Sequence, residues 1–191
     1  MSDDVLRTDR LALHPVSMSD HRALLAHWTG PRVRRHLFDD KTLSALEVTE
    51  IIAVSQRDFA TEGYGLWTLR AADRGDAVGA VGAAPPPGSL VGVAGLRGHD
   101  ADVEIVYSLE PAHWGLGLAA EASRAVLDYA FEVLHLRRVT AEIDEANPAS
   151  AELAERLGMR RRPGGDPGHY LAERPGWHGS RHMIDATQLI Q

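Results

Sequence analysis

The sequence predicts an α/β (α+β) fold in which a mostly antiparallel central sheet is flanked by helices. Residues 103–109 alternate in polarity and are mostly β-formers, which predicts a strand. A turn of small residues follows, and apolar residues then recur at helical spacing from Ala122 to Val133. Earlier in the chain, two helical patterns precede a run of strands. Strand, tight turn and helix therefore form the centre around which the rest is arranged.

The N-terminal part predicts a strand and then a helix. Residues 11–16 alternate as a strand that Pro15 bounds. Ser17 or Ser19 can cap a helix, and Gly30 with Pro31 stops it.

The next segment predicts a second helix and two strands. Ser44 with Glu47 three residues later forms a capping box, and Gly63 suits the end of that helix. Residues 65–70 and 90–96 read as strands joined by a proline-rich hairpin loop, because consecutive prolines cannot lie inside a sheet. Glycines at 92 and 95 indicate a bulge or close packing.

The C-terminal part predicts one more strand, one helix and a final hairpin. Residues 138–143 alternate as a strand, and Asn147 followed by Pro148 is a typical helix start. That helix runs to Gly158, and residues 169–173 and 182–189 can pair as the hairpin. No internal repeat interrupts this order, so we expect a single domain over 1–191.

The composition excludes several classes of function. With 20 basic and 27 acidic residues, the net charge of −7 argues against nucleic acid as a partner. The absence of cysteine excludes disulfides, a thiolate nucleophile and thiolate metal sites. No apolar run has the length of a membrane span, and the polar start is unlike a signal peptide, so we expect a cytoplasmic protein without membrane contact.

The turn from Gly115 to Ala120 is suited to an anion. The first turn of a helix presents unpaired N–H groups and the positive end of the helix dipole, and glycines let an anion approach them. The turn lacks the lysine of a P-loop, and Ala120 stands where a Rossmann fingerprint has its third glycine. An ordinary strand-to-helix turn is the alternative.

The residues W-G-L-G-L-A-A-E-A, preceded by E-I-V-Y-S-L-E-P, resemble the acyl-CoA-binding segment of the GCN5-related N-acetyltransferases (GNAT). The branch that holds the ribosomal-protein N-terminal acetyltransferases is the most similar. Gly117 and Ala119 fill the small positions of the family motif Gln/Arg-x-x-Gly-x-Gly/Ala, whereas Trp114 replaces its Gln/Arg. The resemblance runs from Arg7 to the final hairpin, apart from the proline-rich loop, and implies that two middle strands splay apart.

The resemblance also implies acetyl-CoA as the acyl donor, bound without a metal. The pantetheine arm would fill the gap between the splayed strands and pair with the backbone of Tyr107, Ser108 and Leu109. The N–H of Leu109 would donate to the thioester oxygen. Asn147 would reach the pantetheine arm, or it is a helix cap only. The pyrophosphate would lie against Trp114, Gly115, Leu116, Gly117, Leu118, Ala119 and Ala120.

Glu104 is the candidate general base. A carboxylate in the middle of a covered strand is costly unless it is paired or hydrated, and burial would raise its pKa, which suits a base acting through water. The alternative is a structural ion pair with an arginine such as Arg124 or Arg138.

The general acid is less defined. By the resemblance, the tyrosine that protonates the CoA thiolate in many members falls at Ala154. Ser150, Tyr170 or a water would replace it, or CoA would leave as the thiolate. Ser150 faces the same way as Asn147, and an ordinary helix-surface hydroxyl is its alternative role.

The resulting prediction is an N-acyltransferase that moves an acetyl group from acetyl-CoA to a primary amine, either a protein N-terminus or a small molecule, by direct attack. A non-catalytic acyl-CoA sensor and a transferase for a larger group such as succinyl are the alternatives. The basic residues 32–36 are a solvated loop face or part of the acceptor wall, and could serve a distal carboxylate.

Two further expectations concern metals and partners. The histidines at 169, 178 and 182 lack the spacing and the carboxylate pattern of a metal site. The acidic balance favours a cationic acceptor, and the resemblance allows a homodimer.

Overall fold

An eight-stranded sheet forms the centre of the computed structural model, which describes residues 4–72, 85–99, 102–162 and 168–174. The strands are β1 (Leu6–Arg7), β2 (Leu11–Pro15), β3 (Leu66–Ala71), β4 (Leu90–His99), β5 (Asp102–Leu109), β6 (Arg138–Glu142), β7 (Arg160–Arg161) and β8 (His169–Glu173). They lie in the order β1-β2-β3-β4-β5-β6-β8-β7. Among the strands of the described residues, β5 and β6 run parallel and the other neighbouring pairs run antiparallel, which confirms the predicted mostly antiparallel sheet.

Helices flank this sheet, as predicted. They are α1 (His21–Thr29), α2 (Pro31–Arg34), α3 (Ala45–Glu62), α4 (Leu118–Asp128) and α5 (Pro148–Arg156). The first helix ends at Thr29, before Gly30 and Pro31, as predicted, and Pro31 also begins the short helix α2, because proline fits the first helical position. Within the described part of the chain, no helix combines the length and apolar character that crossing a membrane requires.

The longest helix, α3, has the ends that its sequence predicts. The N–H of Glu47 donates to Ser44 Oγ over 3.2 Å, and the Ser44 N–H donates to the Glu47 carboxylate over 2.8 Å. Gly63 follows the helix in the left-handed conformation, with φ of 78°. These local signals fix where α3 begins and ends.

The two faces of the sheet bury separate apolar clusters. Val93 of β4 packs with α1, α2 and α3 through Leu24, Val33 and Ile52. Its neighbour Ala94 belongs to a larger cluster that holds the apolar residues of α4. Successive residues of a strand point to opposite faces, so α1 to α3 cover one face and α4 covers the other.

Strand β4 approaches β5 closely at Gly92. A Cβ there would lie 2.2 Å from the carbonyl oxygen of Ser108, so only glycine fits, as the glycine pattern predicts. The two-residue strands β1 and β7 were not predicted. The predicted strand at 182–189, the expected partner of β8, lies outside the described residues.

Candidate active site

Strands β5 and β6 open a gap in the middle of the sheet. They pair at Glu104 and Thr140, whereas β4 follows β5 in continuous register to Leu109. The Glu110 N–H donates to the Val91 carbonyl over 2.9 Å. Because hydrogen-bonded pairs alternate along an antiparallel ladder, the even residues of β5 bond to β4. The backbone N–H and C=O of Tyr107 and Leu109 therefore face the gap.

This register corrects the prediction for Ser108. Its backbone bonds to β4, opposite Val93, so it does not lie where a pantetheine amide could pair with it. Leu109 keeps its N–H towards the gap, while its carbonyl accepts a hydrogen bond from Trp114 Nε1 over 2.9 Å. Tyr107 and Leu109 thus supply the open backbone groups.

The turn after β5 presents backbone N–H groups at the start of α4. A short 3-10 turn, Pro111–His113, leads to Gly115 and Gly117, each with φ of 75°. Gly117 is the N-cap of α4 and has no side chain to cap the helix, so the N–H groups of the first helical turn are left without a partner from the cap. Among the described residues, no heavy atom outside the neighbouring positions lies within 4 Å of a Cβ built on Gly115, so the described part of the chain leaves the turn open on that side. This geometry suits an anion.

Two arginines bring positive charge to the turn. Arg10 donates from Nη1 to the Leu116 carbonyl over 2.7 Å and pairs with Glu121 in the first turn of α4. Burial raises the pKa of Glu121, but hydrogen bonds from Thr8 and Arg10 outweigh it and leave that pKa lowered. The guanidinium of Arg32 lies 4.9 Å from the ring centroid of Trp114. Arg32 therefore brings a guanidinium next to Trp114, the residue that replaces the Gln/Arg of the motif.

Helix α5 begins beside the gap. Asn147 Oδ1 accepts a hydrogen bond from the Ser150 N–H over 3.1 Å, which confirms Asn147 as the helix cap. Its role towards pantetheine stays a prediction. The Tyr107 hydroxyl donates to the Ser150 carbonyl over 3.3 Å, and burial raises the pKa of Tyr107. The start of α5 is thus fixed to β5 at a residue that borders the gap.

The Glu104 side chain is buried, and both of its carboxylate oxygens have hydrogen-bond partners. Its side chain is 3% exposed, and Oε2 lies 2.7 Å from Nε of Arg97. Its other oxygen accepts from the Glu142 N–H over 3.2 Å. An ion pair was the predicted alternative to a catalytic role, but Arg97 rather than Arg124 or Arg138 is the partner. Both oxygens are engaged, so Glu104 as the base stays a prediction without added support.

A constellation that sequence reasoning missed lies at the other end of β5. His27 of α1 is 1% exposed. Its Nδ1 lies 2.7 Å from Glu110 Oε1, and its Nε2 lies 2.8 Å from Ser108 Oγ. Burial lowers the pKa of His27, against the opposing effect of Glu110. The sequence signal was a histidine at the helical spacing of Leu24 and Trp28 on a buried face.

The other candidates for the general acid and the predicted histidines lie apart from the constellation at the end of β5. Tyr170 is buried, and its hydroxyl accepts from Arg161 Nε over 3.2 Å. Ala154 is buried. Among the residues with described structure, no group of three or more histidines and acidic residues could hold a metal ion. His178 and His182 lie outside those residues.

Comparisons with known proteins agree with one another. Residues 10–160 match the family model described as an acetyltransferase (GNAT) domain. The uncharacterized N-acetyltransferase p20 of Bacillus licheniformis is 26% identical over 161 residues, which is 83% of each chain. The acetyltransferase from Agrobacterium tumefaciens str. C58 has a TM-score of 0.72 at 25% identity, over 87% of this chain and 91% of that chain. A proposed ribosomal-protein-serine acetyltransferase from Vibrio cholerae shares the fold, with a TM-score of 0.65 at 18% identity, over 91% of this chain and 100% of that chain.

Proposed function

The chain belongs to the GNAT acetyltransferase family and is an acyl-CoA-dependent acetyltransferase, and from this premise we propose that it transfers the acetyl group of acetyl-CoA to a primary amine. The acceptor is a protein N-terminus or a small amine. The open edge of β5 carries this proposal: Tyr107 and Leu109 turn backbone donors and acceptors into the gap. Such groups are costly to leave unpaired, and the amides of an extended ligand would satisfy them.

The chemistry needs a held acyl group and a polarised carbonyl. The N–H of Leu109 faces the gap and would donate to the thioester oxygen. The turn from Trp114 to Ala120 would bind the pyrophosphate through the free N–H groups at the start of α4. Arg10 and Arg32 add positive charge next to that turn. The bound donor supplies an activated thioester, and these residues hold it straight for attack.

The departing sulfur needs a hydrogen-bond donor. Tyr170 is buried beneath Arg161, and Ala154 has no hydroxyl. Tyr107 borders the gap, and its raised pKa keeps the phenol protonated. We place Tyr107, with Ser150 beside it, as the donor near the thiolate. Asn147 contributes by capping the helix that carries Ser150.

The acceptor would enter from the face that α1 to α3 cover, where the sheet is open between β5 and β6. The net charge of −7 favours a cationic acceptor over an anionic one. For succinyl transfer, the arginines at 32–35 would have to bind a carboxylate. Arg32 lies on Trp114, and Arg34 donates to the Asp40 carbonyl and to Thr42 Oγ1. These contacts favour the acetyl group.

Calorimetric titration with acetyl-CoA, succinyl-CoA and free CoA tests the donor. We expect micromolar binding with a preference for acetyl-CoA, followed by thiol release when a panel of amines is added. Binding without thiol release for any amine would support the non-catalytic sensor instead. Failure of all three ligands to bind would contradict the donor site itself.

Two glycines allow a matched test of the phosphate turn. Gly115 has φ of 75° and Gly88 has φ of 74°, and a Cβ on either would meet no atom within 4 Å in the part of the chain that the structure describes. Alanine should destabilise the fold by a similar amount at both positions, about 1–2 kcal/mol. We expect only Gly115→Ala to weaken acetyl-CoA binding, by about tenfold, because its Cβ would stand where the pyrophosphate approaches. Equal affinities in the two variants would contradict the assignment of the turn.

A further inference from the structure

His27, Ser108 and Glu110 form a hydrogen-bonded chain with a defined order. A carboxylate only accepts, so the proton between His27 Nδ1 and Glu110 belongs to the imidazole. In a neutral imidazole the other nitrogen, Nε2, is then an acceptor, and Ser108 Oγ donates to it. The order of carboxylate, imidazole and hydroxyl is the one that lets a hydroxyl group give up a proton.

The hydrogen-bonded chain of these three residues ends at Ser108, on the strand that borders the gap. Ser108 lies between Tyr107 and Leu109, whose backbone faces the gap, and its own side chain points to the opposite face from theirs. That face is the one covered by α1 to α3. Ser108 is half-buried, and the Glu110 side chain is 35% exposed, whereas His27 is enclosed. An acceptor that entered from this face would meet the half-buried Ser108 before the enclosed His27.

The surroundings of His27 favour its neutral form. Glu110, on the segment after β5, is the charged group that acts on His27 among the described residues. Ser108 on β5 is uncharged. Helices α2 and α3 and strand β4 contribute apolar side chains to the cluster next to α1, namely Val33, Val48, Ile52 and Val93. A neutral imidazole can take up a proton, which an already protonated one cannot.

We propose that Ser108 and His27 form the relay that removes the proton from the acceptor amine, with Glu110 as a positioning residue, in the role that the sequence had suggested for Glu104. The relay rests on the proposed acetyl transfer to an amine. The amine nitrogen forms the new bond to the acyl carbon, the bond from that carbon to sulfur breaks, and CoA leaves with the electron pair as the thiolate. Ser108 Oγ accepts the amine proton while its own proton passes to His27 Nε2. The proton then returns from His27 through the half-buried Ser108 hydroxyl to water, and Ser108 ends unacylated.

The test uses four variants of the full-length protein. Ser108→Ala removes the proton-relaying hydroxyl, His27→Gln the proton acceptor, and Glu110→Gln the positioning carboxylate. His21→Gln is the control, because His21 lies on the same helix and bonds to the Ala45 carbonyl at the surface. Glu110→Gln is also the variant that should fold normally, since its side chain is partly exposed. Each variant is measured for acetyl-CoA binding by calorimetry and for kcat/KM as a function of pH with the best amine from the panel.

We expect unchanged acetyl-CoA affinity in all four variants. The kcat of Ser108→Ala and of His27→Gln should fall by about 100-fold or more, the usual contribution of a general base. The acid limb of the wild-type kcat/KM profile should disappear in His27→Gln and persist in His21→Gln. Nitrogen NMR of labelled histidine should show His27 protonated at Nδ1 in the wild type and a mixture of tautomers in Glu110→Gln.

The outcomes separate the two proposals. A wild type that does not bind acetyl-CoA overturns the proposed function and the relay together. Normal binding with wild-type kcat and pH profile in Ser108→Ala and His27→Gln overturns the relay alone. A covalently acetylated Ser108, detected by mass spectrometry before amine is added, also overturns it, because Ser108 would then act as a nucleophile.

Discussion

A glutamate lies at each end of β5, and the two differ in the exposure of their side chains and in the groups to which they are bonded. Glu104, near the start of the strand, is 3% exposed and has a permanent cation, Arg97, as its partner. Glu110, just after the end, is 35% exposed and is bonded to a neutral imidazole. Both lie on the same face of the sheet by strand alternation. One end forms a closed ion pair and the other forms a hydrogen-bonded chain that continues to a hydroxyl.

This difference shows why burial alone is a poor guide to a catalytic carboxylate. Both oxygens of the buried Glu104 carboxylate are already engaged, one by Arg97 and one by the Glu142 N–H, so neither is directed at a substrate. A neutral histidine with a bonded hydroxyl can exchange a proton without separating a salt bridge. The C-terminal end of β5 is therefore the end suited to base chemistry.

The largest expected effect compares the same substitution at the two ends. Glu110→Gln should lower kcat by about 100-fold, because the imidazolium formed in the relay loses its counter-charge. Glu104→Gln should leave kcat within about one order of magnitude of the wild type, because the proposed relay moves no proton through that carboxylate. Steady-state assays at saturating acetyl-CoA measure both. If Glu104→Gln abolishes turnover while Glu110→Gln does not, Glu104 is the base and the comparison is reversed.

The sequence predicted the parts of this region that depend on neighbouring residues. Ser44 with Glu47, and Asn147 with Pro148, are signals read within four positions, and both caps are confirmed. The alternation of 103–109 predicted β5, and the glycine pattern predicted the close approach at Gly92. The two-residue strands β1 and β7 are too short to show any alternation, so they could not be predicted.

Contacts between residues that are far apart in the chain could not be predicted from the sequence. Arg97 meets Glu104 because the register of β4 on β5 pairs them, and no local pattern fixes that register. His27 and Glu110 are 83 positions apart, so their contact depends on how α1 packs over the end of β5. Alternation along β5 predicts that even and odd positions point in opposite directions. Which backbone groups stay free of hydrogen bonds depends on the register with the neighbouring strand β4. That is why Ser108 was assigned to pantetheine and not to His27.

The second effect tests the closed end of β5 through its stability. Arg97→Ala leaves the Glu104 carboxylate buried without its cation, and the free energy of unfolding should fall by about 2 kcal/mol, less than for a fully buried pair because Arg97 is half exposed. Arg138→Ala is the control: Arg138 is 49% exposed against 50% for Arg97, but its partner Asp102 is 16% exposed. We expect a loss below about 1 kcal/mol there. Urea unfolding at neutral pH measures both, and equal losses would show that Glu104 is not held as an enclosed anion.

The smallest effect tests the other end of β5 by the pH dependence of stability. Burial lowers the pKa of His27 below its ordinary value of 6.5, so the unfolded chain takes up a proton there that the folded chain refuses. This contribution to stability is complete above pH 6.5 and is lost as the pH falls from there towards the lower folded pKa. Relative to His27→Gln, the wild type should lose at most about 1.4 kcal/mol per pH unit in this window, the slope for one proton, and the window is narrowed because Glu110 opposes the pKa shift. Urea unfolding between neutral and mildly acidic pH measures the difference, with His21→Gln expected to follow the wild type. A parallel course for wild type and His27→Gln would mean that folding does not lower the pKa of His27, and the surroundings would then not favour its neutral form.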